Sequence, residues 1–393
     1  MAIQGLDSLW QDGYPVYHAR FFHRPPRVVT LFFVVAFLIQ CLYAGILVVG
    51  LRRAGQQDPV PEGVNPDDLP SLSIVVAAHN EADTIPPLLR ALASQTHPNL
   101  DIILVNDAST DETGRILTDW ADDHASARVI ERRGSAAPNK KKAIAEGVAA
   151  ARHDIIAQTD ADCVPPTVWS ERLAASHAQC DRPVLLIGYS PVEPETGLLN
   201  RWSRYETWQT GAFTAAAAAI GHPYMAVGRN LSAAKQVYLD VDNDIAGDDL
   251  LSGDDDLFVQ AARRTGSATI RPLVDPSTFV PTRGADSWLS WLQQKRRHVS
   301  AGRAYAPSTA AVLTLYHSSH VLLWLAPILL GSLGVGLLAA RLLFHSLVIG
   351  EATRTLGEDD LAAFFPIGEV LTALYHVLVV PFGLMSPPDT WKS

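Results

Sequence analysis

The sequence contains few cysteines and no excess of positive charge. Cys41, Cys163 and Cys180 are the three cysteines among 393 residues, and they have neither CxxC nor metal-ligand spacing. They provide no disulfide framework, which fits a reducing compartment. The formal net charge is −10 at pH 7, and lysines and arginines form only short clusters. We therefore expect no nucleic-acid partner.

Charged residues are also missing from long stretches. No Asp, Glu, Lys or Arg occurs in residues 28–50 or between Arg303 and Arg341, and residues 361–384 are nearly uncharged. About 20 apolar residues are enough to cross a bilayer. The first stretch is too long for the apolar region of a cleaved signal peptide, so we expect a retained anchor. The second fits one long or two short spans, because residues 331–334 suit either a tight connection or close helix packing.

These stretches divide the chain into four predicted parts. They are an N-terminal segment, residues 1–54, with a transmembrane helix at about 28–51; a linker rich in Pro, Gly and Asp, residues 55–69; a central domain, residues 70–306; and a C-terminal membrane region, residues 307–393, with two or three helices. Arginines flank the first helix on both sides, so charge alone does not orient the chain.

Short apolar runs alternate with helical patterns in the central domain. Residues 73–78 and 101–105 are predicted to be buried strands, with a helix over 84–94 between them. The alternation continues, and its further members are helices over 111–124 and 140–151, a strand at 128–130 and a strand that ends at Asp160. This order predicts an α/β fold with a mostly parallel central sheet, flanked by transmembrane helices.

An aromatic stripe marks a later helix. Trp202, Tyr205 and Trp208 recur at three-residue spacing, and the alanine run Ala215–Ala219 favours continued helix. Such a stripe is more typical of a packed core or a membrane interface than of a sugar-binding platform.

Acidic residues follow two of the predicted strands at the point where each strand ends. Asp107 follows the second strand, and Asp160 and Asp162 follow the fourth. Ligands of open α/β sheets bind at this carboxyl edge, so these acids are expected in one crevice. Two carboxylates one residue apart suit Mg²⁺ or Mn²⁺ and leave open positions for diphosphate oxygens. The alternative role for each acid is in a turn or a helix cap.

The chain resembles the inverting glycosyltransferases of family 2, which have the GT-A nucleotide-sugar fold. The segments that carry the resemblance are SIVVAAHNEADTI at 73–85, VNDASTDET at 105–113, NKKKAIAEG at 139–147, TDADC at 159–163, SGDDDLF at 252–258 and QQKRRH at 293–298. The resemblance spans roughly residues 70–306 and implies a nucleotide-diphosphate sugar as donor.

The resemblance also implies roles for the residues at the sheet edge. Asp107 would contact the nucleobase or ribose, Asp160 would approach the sugar-nucleotide region, and Asp162 would bind the metal, with Asp160 as the second metal ligand. Glu81 would meet the nucleoside, although it also suits a helix cap. Of the lysine run, Lys140 or Lys141 would neutralise the diphosphate, although such runs are usually solvated.

We expect the general base in the acidic run after residue 252, where a helical pattern begins. We predict Asp254 as the base and Asp255 as the alternative, because the register of the motif is uncertain by one residue. Clustered carboxylates repel one another, which makes one of them a better base. The alternative is that these acids complement the dipole of the helix that follows.

The segment around residue 295 is similar to the QxxRW signature of membrane-bound synthases. Gln294 and Arg297 align with its Gln and Arg, and His298 replaces the Trp, which puts processive polymer synthesis in doubt. Arg297 suits a diphosphate, because its planar guanidinium pairs with phosphate oxygens. The alternative is an interfacial helix whose Arg296 and Arg297 meet lipid headgroups.

The expected function is therefore a membrane-anchored, metal-dependent inverting glycosyltransferase. We favour a UDP-sugar over a GDP-sugar as donor and a lipid or lipid-linked saccharide as acceptor. The catalytic domain would lie on the cytoplasmic side of the inner membrane, because nucleotide sugars are cytoplasmic. The alternatives are a processive polysaccharide synthase and, after it, a noncatalytic scaffold with a degenerate transferase domain.

Overall fold

A computed structural model describes residues 26–57, 64–132, 138–241 and 254–385. Within these ranges seven strands form one sheet, in the order β3-β2-β1-β4-β6-β5-β7. The strands are β1 (Leu72–Ala78), β2 (Leu100–Asp107), β3 (Ala127–Arg132), β4 (Ile155–Asp160), β5 (Val184–Gly188), β6 (Leu231–Ala234) and β7 (Thr269–Leu273). Only β6 runs antiparallel to its neighbours β4 and β5. The predicted α/β class with a mostly parallel sheet is confirmed.

The central strands β1 and β2 are mostly apolar and almost fully buried, as is typical of parallel strands whose two faces are both covered. The helices of this region are α2 (Ile85–Ala93), α3 (Thr113–Asp122), α4 (Lys140–Ala150), α5 (Trp169–Ala178), α6 (Leu198–Ala219), α7 (Lys235–Val241), α8 (Asp254–Thr265) and α9 (Trp288–Ser300). Helix α4 approaches β1 closely at Gly147, where a Cβ would lie 2.4 Å from Val75 Cγ1. Because Gly147 has no side chain, α4 can pack close to β1, and its first residue, Lys140, lies at the sheet edge.

Four helical segments of the described chain are long and apolar enough to cross a membrane. They are α1 (Arg27–Gln57), α10 (Pro307–Leu330), α11 (Ser332–Thr355) and residues 359–385, which include α12 (Phe365–Leu374), a π-helical turn (Tyr375–Val379) and α13 (Val380–Met385). Helix α1 runs beyond the predicted residue 51 because its last turns pack on α6. There Ala54 is fully buried, and Gln57 Nε2 donates to Ala219 O over 3.2 Å.

Both explanations of residues 331–334 apply. Gly331 has φ 60° and separates α10 from α11, which makes it a tight connection. Gly334 lies so close to the backbone of Ala326 that a Cβ would meet its carbonyl oxygen at 1.9 Å. The uncharged stretch is therefore a helical hairpin, and Arg341, taken from the sequence as a boundary, lies inside α11.

The aromatic stripe of α6 is core, as its spacing predicts. Trp202, Tyr205 and Trp208 are buried with residues of α1, α11 and α12 in one apolar cluster. Trp208 Nε1 donates to Ala352 O over 3.2 Å, which satisfies its polar atom inside the cluster. This packing joins the sheet region to the apolar helices.

Candidate active site

The carboxyl ends of β2 and β4 place the predicted acids at the same edge of the sheet, with β1 between them. Asp160 is the last residue of β4, and both Asp160 and Asp162 line a cavity of about 1640 Å³. Lys140, Lys141, Asp255 and Asp256 line the same cavity. The fold therefore brings the acidic pair, two of the predicted lysines and two acids of the later run together.

Lys140 pairs directly with the acidic pair. Its Nζ lies 2.5 Å from Asp160 Oδ1. Burial alone would raise the pKa of the Asp160 carboxyl, but the charges of Lys140, Arg229 and Arg297 prevail and lower it. Burial and the charge of Asp160 raise the pKa of the Asp162 carboxyl. The two acids therefore differ in proton affinity although they are one residue apart.

The acidic pair provides few protein ligands for a cation. In the part of the chain that the structure describes, no three His, Cys, Asp or Glu side chains are grouped so that they could hold a metal. Mg²⁺ commonly keeps several waters and is bound by one or two carboxylates together with substrate phosphates. Asp160 and Asp162 fit a cation that is shared with a diphosphate, and Lys140 would release one Asp160 oxygen to it.

Asp107 and Glu81 are placed differently from the acidic pair, because neither lines the cavity. The Asp107 carboxylate is buried, pairs with Arg132 and accepts from the Asn139 backbone N–H over 2.7 Å. Glu81 accepts from the Thr84 hydroxyl at the turn before α2. Through these contacts both side chains stabilise the structure at the sheet edge. Their contacts with the nucleoside stay predictions.

The acidic run begins α8. Asp254 is the first residue of this helix, and its side chain lies outside the described part of the chain. Asp255 Oδ2 accepts from the Gly228 N–H over 2.6 Å and its Oδ1 accepts from the Asp256 N–H over 3.1 Å. Asp256 is buried and accepts from the Tyr305 hydroxyl over 2.5 Å. Among the described acids of this run, Asp255 accepts hydrogen bonds from backbone amides alone, whereas Asp256 also accepts one from a side chain.

Helix α9 provides the third side of the site. A capping box between Ser287 and Ser290 fixes its start, and Gln294, Arg297 and His298 line the cavity. Burial lowers the pKa of the Arg297 guanidinium, against the opposing charges of Asp160 and Asp162. The negative charges of Asp160 and Asp162 thus act on Arg297, which suits its predicted role in binding the diphosphate.

Two neighbours of Arg297 have other environments. Burial and nearby cations, Lys295 first among them, hold the pKa of His298 well below its usual range, so its imidazole is neutral at pH 7. The Arg296 guanidinium lies 4.6 Å from the centre of the Phe382 ring in α13. Of the two arginines, Arg296 contacts the apolar helix α13, and Arg297 lines the cavity.

Arg229 is a site residue that sequence reasoning missed. It lines the cavity, its Nε donates to Ser190 Oγ over 2.6 Å, and its charge acts on both Asp160 and Asp162. Arg229 lies in a single 3₁₀ turn, Gly228–Asn230, before the short strand β6. No motif marks this position in the sequence, because it approaches the acids only through the antiparallel pairing of β6 with β4.

Comparison with known proteins gives a family match for the part of the chain from β1 to β5. The family model Glycosyl transferase family 2 matches residues 73–229. Probable glycosyltransferase YdaM of Bacillus subtilis (strain 168) is 29% identical over 147 residues, which are 36% of this chain and 35% of that protein. Beta-monoglucosyldiacylglycerol synthase of Nostoc sp. is 34% identical over 96 residues, which are 24% of this chain and 20% of that protein. These matches thus span about a third or less of the relatives' own length.

Among solved structures, the mannosyltransferase PcManGT from Pyrobaculum calidifontis, in complex with GDP-Man and Mn²⁺, aligns with a TM-score of 0.48 and 18% identity. The alignment covers 87% of this chain and 99% of that chain.

Proposed function

We propose, from the match of residues 73–229 to the glycosyltransferase family 2 model, that the protein transfers a sugar from a nucleotide-diphosphate sugar to a lipid acceptor. One observation carries the proposal. A single cavity is lined both by Asp160, Asp162 and Arg297 and by residues of α1 and α10, helices that are apolar enough to cross a membrane. An acceptor that reaches the acids through this cavity has to pass apolar helices, which suits a lipid.

The donor would lie at the sheet edge. Asp160 and Asp162 would hold Mg²⁺ or Mn²⁺, which would supply positive charge to the departing diphosphate. Lys140, Arg229 and Arg297 surround these acids and would hold the diphosphate oxygens. Their position inside a half-enclosed cavity strengthens these charge interactions relative to bulk water.

The acceptor hydroxyl would be deprotonated by an aspartate at the start of α8. Asp255 is our first choice among the described acids, and Asp254, whose side chain is not described, remains the alternative. Two backbone N–H groups hold the Asp255 carboxylate in place, which fixes the direction in which it accepts a proton. Attack from the side opposite the diphosphate would invert the configuration at the sugar carbon.

The cellular location that we propose follows from the donor substrate. Nucleotide sugars are cytoplasmic, so the domain would face the cytoplasm from the inner membrane. UDP-sugars are the donors to test before GDP-sugars.

The test is nucleotide release by the detergent-purified protein across UDP- and GDP-sugars, with membrane lipid extract as acceptor. We expect release with one donor, its loss with a chelator, and its loss in Asp162→Asn. Asp123→Asn, an exposed acid at the end of α3, is the matched control. No release and no nucleotide binding with any donor would contradict the proposal and favour the scaffold alternative.

The product separates single transfer from polymerisation. Mass spectrometry of the lipid fraction should find one or a few added sugars, because His298 replaces the tryptophan that is typical of processive synthases. A long polysaccharide would instead establish the processive alternative.

A further inference from the structure

The cavity is larger than one substrate requires. Its volume of about 1640 Å³ exceeds the roughly 300–1,000 Å³ of a pocket for one small ligand. The sheet edge lines one part of it, and residues of α1, α10 and the α12–α13 segment line another. Space therefore remains beside the donor for a second substrate that contacts the apolar helices.

The part of the cavity between these helices is open to the outside of the protein. Apolar side chains line it and yet remain largely exposed, with exposed fractions of 61% for Leu42, 52% for Val312 and 50% for Val377. We call this part the membrane groove, and its lining includes Leu42, Ile46, Val312, Leu315, Leu325 and Val377. Exposed apolar surface of this kind is typical of sites that bind a membrane or another apolar partner.

The membrane groove has no charged side chain among its described residues. None of the described cavity-lining residues in α1, α10, α12, the π-helical turn or α13 is Lys, Arg, Asp or Glu. Lys295, which reaches the cavity from α9, is already ion-paired with Glu206. The cations that face Asp160 and Asp162 would be occupied by the donor diphosphate. A lipid phosphate would thus find no charged partner in the groove, whereas an uncharged lipid needs none.

Two histidines place enclosed polar atoms in the wall of the groove. His317 of α10 and His376 line the cavity with ring centres 3.9 Å apart. The Nδ1 atoms of both are enclosed and have no hydrogen-bond partner in the described structure. His376 lies in the π-helical turn Tyr375–Val379, a rare element that often occurs at functional sites. A ligand oxygen beside these rings would satisfy atoms that are costly to leave unpaired.

Resting on the proposed function, we propose that the acceptor is an uncharged lipid alcohol of the diacylglycerol class. It enters from the bilayer through the membrane groove, its ester oxygens contact His317 and His376, and its hydroxyl points toward Asp255. The hydroxyl oxygen forms a bond to the anomeric carbon, the bond from that carbon to the diphosphate breaks, and the nucleoside diphosphate leaves with the electron pair. The hydroxyl proton goes to the aspartate at the start of α8.

The first experiment compares acceptors. The full-length protein is reconstituted in nanodiscs that contain either diacylglycerol or undecaprenyl phosphate, and the lipids are analysed by mass spectrometry after incubation with the active donor. We expect glycosylated diacylglycerol and no glycosylated lipid phosphate. Transfer to the lipid phosphate without transfer to diacylglycerol would overturn the inference and leave the proposed function standing. Absence of nucleotide binding and release with every donor would overturn both.

The second experiment tests the groove by substitution. Leu315→Trp fills the groove, and Leu347→Trp places the same ring on α11, at a residue that is 75% exposed and does not line the cavity. We expect Leu315→Trp to raise the KM for diacylglycerol and Leu347→Trp to leave it unchanged. Equal effects of the two variants would overturn the placement of the lipid.

Substitution of the two histidines gives a third test, with the KM for diacylglycerol as the measured quantity. His317→Phe and His376→Phe should each raise the KM for diacylglycerol about tenfold, the effect of one lost hydrogen bond, and His317→Gln should restore most of it. Calorimetric nucleotide binding checks that each variant is folded. An unchanged KM in both Phe variants would overturn the role of the histidines.

Discussion

Asp255 and Asp256 are adjacent in α8 but have different partners. Asp256 accepts from the Tyr305 hydroxyl and the Ala226 N–H, which ties α8 to the segment before α10. Among the described residues, Asp255 accepts from backbone amides alone, and both acids line the cavity that Asp160 also lines. At the scale of single residues, this difference separates a structural acid from a candidate base.

Replacement of the base should abolish transfer without abolishing donor binding. We expect Asp255→Asn to lower kcat by a factor of roughly 10²–10⁴, the usual contribution of a general base, with the nucleotide Kd nearly unchanged. Asp254→Asn, assayed in parallel, decides the register of the motif: the variant with the larger loss in kcat identifies the base. Full activity in both variants would refute the assignment of the base to this run.

His177 should make stability depend on pH. Its Nε2 donates to Ser232 Oγ over 2.9 Å inside the protein, because the Ser232 hydroxyl itself donates to Ile156 O. Burial lowers the pKa of His177 to about 4. The unfolded chain binds a proton at this residue below about pH 6.5 and the folded chain only below about pH 4, so stability falls as the pH drops from 6.5 to 4.

The loss over this window should reach about 3 kcal/mol, since each pKa unit corresponds to roughly 1.4 kcal/mol. Denaturant unfolding in detergent at a series of pH values measures it, and His177→Gln should flatten the dependence. His153→Gln, at a partly exposed position, is the control. A slope that is equal in the two variants would contradict the assignment.

At the scale of elements, the close approach of α4 to β1 determines where Lys140 lies. Gly147→Ala should destabilise the fold by about 1–3 kcal/mol, because its Cβ would meet Val75 and force the helix outward. Gly55→Ala in α1 is the matched control, since a Cβ there has nothing within 4 Å and alanine favours helix equally. Thermal unfolding compares the two. A gain in stability from Gly147→Ala would show that α4 can move freely.

The elements differ in how well the sequence predicts them. Strands β1 and β2 are predicted well because their apolar runs are continuous and a clear helix separates them. The antiparallel strand β6, Leu231–Ala234, is four residues of mostly small side chains and carries no usable pattern. Its pairing with β4 and β5 depends on contacts distant in sequence. For this reason the acidic pair could be located from the sequence and Arg229 could not.

At the scale of the whole molecule, a buried ion pair links the apolar helices. Arg341 of α11 pairs with Glu369 of α12, and both side chains are almost fully buried. Arg341 also donates to Gln40 of α1 over 3.3 Å and contacts His320 of α10 over 3.1 Å. Four helical segments therefore share one charged cluster, which explains how polar residues are tolerated among apolar helices.

Loss of one partner of the Arg341–Glu369 ion pair should lower the free energy of unfolding. Glu369→Gln leaves the buried Arg341 charge uncompensated and should destabilise the protein by roughly 3–5 kcal/mol, measured by thermal unfolding in detergent. The double variant Arg341→Met with Glu369→Gln should recover much of the loss, because no unpaired charge remains. Glu351→Gln, which breaks the exposed pair with Arg52, is the control and should have little effect. Equal destabilisation by single and double variants would argue against the pair as the cause.

The contacts of α1 have a consequence for the order of assembly during synthesis. Gln40 bonds to Tyr316, 276 residues later, and Arg52 to Glu351, 299 residues later. The ribosome thus releases α1 long before α10 and α11 exist, and the sheet can fold in the interval. Helix α1 meets α6 first and the hairpin of α10 and α11 afterwards. The membrane groove is complete only after this hairpin has been synthesised, so a nascent chain with a finished sheet lacks the part of the cavity in which we propose that the lipid binds.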